Sequence, residues 1–155
     1  MNPAYERKIV SVIQPAAIID NASATTAVVD TLGWDYAVFD IQLGATDIAL
    51  TALKLQESDA LNGSDLDSGA DVSGTVFGTS VNDTGSASTL PSATDDNKLY
   101  AFFVDLRGRK RYLDLVATVG DGSSGGYLAA TCSLFRGSVS PSSAATAGYA
   151  QRIIV

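Results

Sequence analysis

The stretch Asn97–Gly137, NKLYAFFVDLRGRKRYLDLVATVGDGSSGGYLAATCSLFRG, decides the fold. Three apolar runs, Leu99–Leu106, Tyr112–Val119 and Tyr127–Phe135, are separated by one basic turn and one glycine-serine turn. Their length, their β-branched and aromatic content and their glycine-containing boundaries are those of strands. They predict an antiparallel meander, with the basic segment as a charged hairpin turn and the glycine-serine segment as a mobile strand connection.

Working outward, GWDYAVFDIQLG (Gly33–Gly44) predicts a strong strand from Trp34 to Leu43, preceded by a short one around Thr26 to Val29. Alternation places Asp35, Ala37, Phe39, Ile41 and Leu43 on the core face, and Trp34, Tyr36, Val38, Asp40 and Gln42 on the face open to solvent or a partner. Leu53 and Leu55 alternate with Lys54 and Gln56 in a further strand, for which a short helix over Ile48 to Leu53 is the alternative. Near the start, RKIVSVIQPAAII is interrupted at Pro15, which has no N–H for a central ladder, so this segment reads as an edge strand or a bent arm.

Seven or eight strands and few helical patterns predict an all-β single domain, an antiparallel β-sandwich or jelly roll with extended terminal arms. Its expected extent is 1–137, including acidic Gly/Ser/Asp-rich loops over 56–97 with a short strand over Gly74 to Phe77. A linker and apolar arm follow over 138–155. The arm, GSVSPSSAATAGYAQRIIV, ends in Ile153, Ile154 and Val155. These either return to the domain's own sheet or dock on another subunit, and the small-residue lead favours docking, with Tyr149, Ile153, Ile154 and Val155 as anchors.

Length allows one core and no second domain. The net charge of −7 disfavours general adhesion to a nucleic-acid backbone. Between Lys54 and Lys98 there is no Lys or Arg at all, while Glu57, Asp59, Asp65, Asp67, Asp71, Asp83, Asp95 and Asp96 form an acidic rim. Arg107, Arg109, Lys110 and Arg111 are the one basic cluster, either a solvated turn or a contact for an acidic neighbouring surface such as the rim of an adjacent copy. No apolar stretch is long enough for a membrane span, and MNPAYERKIVSV has no secretory apolar core, so a chain made in a cytoplasm is expected.

The sequence contains no histidine and one cysteine. Ser-His-Asp, Cys-His and histidine-metal machinery therefore have no parts to be built from. Cys132, inside LAATCSLF, reads as a small buried side chain. Asp65-Leu66-Asp67-Ser68-Gly69-Ala70-Asp71 begins with calcium-loop spacing but has Ala70 and Val76 where an EF-hand loop needs Gly and Glu. A carboxylate dyad of the glycosidase kind is a weaker reading than aspartate-rich turns. Gly120–Gly126 lacks the Lys and the following helix of a phosphate loop. No cofactor is expected.

The order of segments resembles small virion proteins of tailed bacteriophages encoded near capsid genes. The matching features are GWDYAVFDIQLG, then LKLQESDA, then NKLYAFFVDLRGRKRYLDLVATVG, and finally YLAATCSLFRG with its trailing apolar tail. In that group the QESD segment ends a strand before a variable loop, and RGRKRYLDL joins two sheet strands. The resemblance implies a non-enzymatic head decoration or cement protein on the capsid exterior. Its partners would be the major capsid protein and further copies of itself, a trimer at local threefold sites being the expectation. Two alternatives are a neck or tail ring component and a carbohydrate-binding module in which Trp34, Tyr36 or Tyr127 stacks on sugar.

Overall fold

The computed structural model describes residues 6–153. Its strands are β1 (Lys8–Ile13), β2 (Ala22–Ser23), β3 (Val29–Asp30), β4 (Tyr36–Thr46), β5 (Leu50–Ser58), β6 (Leu61–Asn62), β7 (Asp65–Leu66), β8 (Ala70–Val76), β9 (Leu99–Asp105), β10 (Tyr112–Val119) and β11 (Gly126–Phe135). One sheet has the order β1-β11-β4-β9 and the other β2-β10-β5-β8, with β3 also on β10; β6 and β7 form a small separate hairpin. Every pairing is antiparallel.

Taking β2 and β3 as one broken strand, each sheet has four strands, and the chain changes sheets at most of its long connections. β1 pairs with β11, β2 and β3 with β10, β4 with β9, and β5 with β8. That is a long antiparallel ribbon rolled over on itself, the strand order of a jelly roll.

The meander expected for the last third is therefore corrected. β9 and β11 lie in the first sheet and β10 in the second, so RGRKR arches over the end of the sandwich and makes no hairpin. Alternation fixes which face of a strand is buried and leaves its pairing partner open. The N–H of Leu106, a buried residue, donates to Asp35 O and holds the chain on the first sheet. Five residues later Arg111 O accepts from the N–H and the hydroxyl of Thr31 and ties the chain to the second.

The core lies between the sheets and follows the predicted alternation. Ala37, Phe39, Ile41 and Leu43 on β4 face Leu53, Leu55, Leu113, Leu115 and Ala117 of the opposite sheet, all at most 1% exposed. Asp35 is half-buried and stands before the strand begins. Residues 50–53 are strand, so the short-helix alternative falls; Leu50 and Leu53 are both buried, and Leu53 stands opposite Ala117 of β10. β1 stops before Pro15 and occupies an edge, as the missing N–H of proline requires.

Candidate interaction surfaces

The basic arch is satisfied largely within the chain. The Arg107 guanidinium donates to both carboxylate oxygens of Asp105, whose carboxyl it holds down at about 2. Arg111 donates to Asp30 at 3.0 and 2.7 Å, lowering that carboxyl, and lies 4.8 Å over the Tyr112 ring. Arg109 sits 3.5 Å from Glu57. The backbone N–H groups of Lys110 and Arg111 donate to Glu57 and Asp59, each at 3.1 Å. Two members of the acidic rim thus cap the basic arch of their own chain. Among the described residues the Lys110 ammonium makes no ion pair.

The C-terminal segment is tied down further than a linker would be. Ser138 N–H donates to Gly33 O at 2.7 Å, and Gly137 lies under the Trp34 ring, where a Cβ would come within 2.8 Å of Cζ3. A turn over Ser143–Gly148 buries Ala147 completely, and Ala147 O accepts the N–H of Ile9 on β1 at 2.8 Å. Gly148 has φ +86°, and a Cβ there would collide with the Ile9 carbonyl. The small residues of this stretch are what allows it to lie flat against an edge strand. Tyr149 is half-buried with Arg7 6.0 Å from its ring centroid, so it belongs to this packing. Beyond it the chain is irregular; Arg152 reaches Pro141 O at 3.5 Å and Ile153 is 92% exposed. Ile154 and Val155 lie outside the described residues.

The glycine-serine connection is pinned, contrary to the mobility expected of it. Asp47 accepts the backbone N–H groups of Ser123 and Ser124 at 2.9 and 2.7 Å on one oxygen and of Gly125 at 2.9 Å on the other. Asp20 accepts that of Gly122 at 2.9 Å. The loop forms the concave row of N–H donors that attracts anions, and carboxylates of this chain fill it.

Asp71 is bonded to Lys54 and Gln56, at 2.9 and 2.8 Å. No group of three or more His, Cys, Asp or Glu is placed to hold a metal ion among the described residues. Cys132 is buried in the core, and burial pushes its thiol up to about 12. Trp34 packs against the core with Gly137 on its ring. Among the described residues no helix is long and apolar enough to cross a membrane.

The structure extends the β4 face read as open to solvent or a partner, which carries Tyr36 and Val38, into a surface whose β9 and β11 residues the sequence reading missed. β9 ends the first sheet, and on its outer face Leu99 and Phe103 are 70% and 79% exposed. Register sets Phe103 beside Val38, and Phe135 beside Tyr36, around a shallow apolar depression. Arg107 and Arg136 stand 5.9 and 5.8 Å from the centroid of the Tyr36 ring. The continuous run LYAFFV was the available signal, since a strand apolar on both faces needs cover on both. The Arg, Tyr and Phe content is that of the energetic centres of protein interfaces.

Compared with models of known families, with characterised proteins and with solved structures, the chain finds no match.

Proposed function

We propose that the protein is a non-enzymatic structural component of a tailed-phage particle, attached to the outside of the major capsid protein shell as a decoration or cement protein. The observation that carries this reading is the outer face of the first sheet. There Tyr36, Val38, Phe103 and Phe135 lie together between Arg107 and Arg136, on a molecule whose other polar surface is built largely of Ser, Thr, Asn and Gly. Apolar groups left in water on a rigid sheet face are suited to a partner surface. Repetition over a shell turns a weak individual contact into stable coating wherever copies are linked. The jelly-roll order agrees with a role in a particle, although fold alone assigns no function.

The test is to mix purified protein with empty shells from the same source, pellet them and count bound copies by quantitative gel. Saturation in proportion to the capsomers is expected, with Phe135→Asp reducing binding at least tenfold at an unchanged circular dichroism spectrum. Binding limited to one ring's complement would transfer the protein to the neck or tail. That second reading is favoured by one observation: the exposed tail leaves the first sheet at its β1 edge, while the free edge lies at β9. No binding to shells would remove the decoration reading.

A further inference from the structure

Two features remain unsatisfied in the folded chain, and they are complementary. The first is the β9 edge. Leu106 N–H donates to Asp35 O, and Leu43 N–H donates to Lys98 O. With the one-to-one register of β4 and β9, the even-numbered residues of β9 are therefore the ones bonded to β4. Leu99, Ala101 and Phe103 direct their N–H and C=O groups away from the sheet, and no hydrogen bond among the described residues reaches them. This edge forms one wall of an open groove of about 540 Å³, whose opposite wall is the turn carrying Val81 and Asp83. Phe77, edge-on to Tyr100 and Phe102, closes part of its lining.

The second feature is the C-terminal tail. Ile153 is exposed, and the sequence continues with two further β-branched residues, Ile154 and Val155. Arg152 is the one charged residue after Arg136, and it is positive. The groove wall carries Asp83, within the long stretch that has no Lys or Arg.

The tail does not serve its own groove. It is held to β1 through Ala147, at the far edge of the sheet from β9, and three interstrand spacings amount to roughly 14 Å. Four extended residues from Tyr149, which packs beside Arg7, to Ile153 span about 14 Å, so Ile153 could at most arrive at the β9 edge and the described part of the tail has no length left to lie along it. Arg152 also remains beside Pro141.

We propose that the C-terminal tail of a second copy adds as a strand to the β9 edge, with Ile153 in the apolar groove and Arg152 toward its acidic wall, so that copies associate head to tail. Backbone hydrogen bonds to an open edge supply affinity, and alternate side chains entering a groove supply selectivity. The contact is heterologous, so it builds rings or chains and not an isologous pair. The proposal deepens the particle reading by naming a partner surface, and its test needs no shells.

Leu99→Lys damages the groove and Ile153→Asp damages the tail. Both positions are exposed, and circular dichroism checks that each variant stays folded. In sedimentation velocity the wild-type protein is expected to associate with rising concentration and each variant to remain monomeric. An equimolar mixture of the two should give a dimer and nothing larger, because one intact tail meets one intact groove. Three results would overturn the proposal: a wild type monomeric at every concentration, association that survives Ile153→Asp, or a mixture that stays monomeric. Self-association that persists while shells fail to pellet the protein would leave this contact standing and remove the capsid reading alone.

Discussion

Replacing Asp47 by Ala should loosen the whole end of the sandwich where β10 crosses to β11. Its carboxylate accepts three backbone N–H groups, from Ser123, Ser124 and Gly125, and its own N–H donates to Gly125 O. Hydrogen bonds to a charged acceptor are worth about 1.5–3 kcal/mol each when sheltered. Here Asp47, Ser123 and Ser124 are exposed, and water can replace much of what is lost. A combined loss of about 2 kcal/mol is the reasonable magnitude. A chain of this length unfolds with an entropy of about 0.3 kcal/mol/K, so Tm should fall by about 6 °C. Asp121→Ala removes the same charge from the pinned loop itself without touching a side-chain hydrogen bond, and should change stability by less than about 0.5 kcal/mol. Calorimetry gives Tm, and amide exchange gives the site, with the Ser123–Gly125 amides losing protection in the Asp47 variant alone. Equal Tm values for the two variants, or unprotected amides in the wild type, would refute the pinned loop.

Gly148→Ala should push the C-terminal turn off β1, because the new Cβ meets the Ile9 carbonyl at a positive φ. Limited proteolysis should then cut within Ser138–Tyr149 while the sheets survive, and an unchanged digestion pattern would contradict the packing of Ala147. Asp114 is held above the ordinary carboxylate range, chiefly by burial, against the opposing Thr26 hydrogen bond. Its ionised form therefore opposes folding at neutral pH, and this cost fades as pH falls from the raised value toward about 3.9. Asp114→Asn should raise the urea midpoint at pH 7 and lose that gain near pH 3; equal gains at both would point to another cause. Asp30, Asp71, Asp95 and Asp105 have the opposite sign: their cation partners depress them, so their contribution is present above about 3.9 and is lost as pH falls through their folded values. Cys132 should resist thiol reagents at pH 8 until denaturant opens the core, since its thiol is pushed up to about 12; rapid native labelling would place it at the surface.

The strands were legible because one-sided burial writes itself as alternation, and Ala37-Phe39-Ile41-Leu43 is buried as that alternation required. Pairing was not legible. Leu99–Asp105 and Tyr112–Val119 each present a core face, and nothing local distinguishes a hairpin partner from a neighbour in the facing sheet; only the distant bonds of Leu106 to Asp35 and of Arg111 to Thr31 decide it. The same limit applied to charge. The separation of acidic and basic segments in sequence left a solvated turn and a contact with a neighbouring acidic surface both open, whereas folding brings Glu57 and Asp59 of the same chain to the basic arch across more than fifty positions. Composition misled at Gly120–Gly126, where flexible residues are fixed by an aspartate from another loop.

The two edges of the first sheet are managed differently, and that asymmetry is the strongest physical hint of function. An open strand edge invites pairing with other chains, and folded proteins protect against it with bulges, prolines, charges or cover. At β1 such devices are present: a register shift between Ser11 and Ile13, Pro15 just beyond, and the Ala147–Gly148 turn laid along Ile9. At β9 charges stand only at the two ends, Lys98 just before the strand and Asp105 as its last residue; LYAFFV between them carries none, and no hydrogen bond among the described residues reaches the outward groups of Leu99, Ala101 and Phe103. Sticky edges left open by accident would tend to aggregate the protein. A chain that covers one edge with its own C-terminal segment and leaves the other apolar and free fits the strand addition proposed at β9, in which the groove beside that edge would set the shape of what pairs with it.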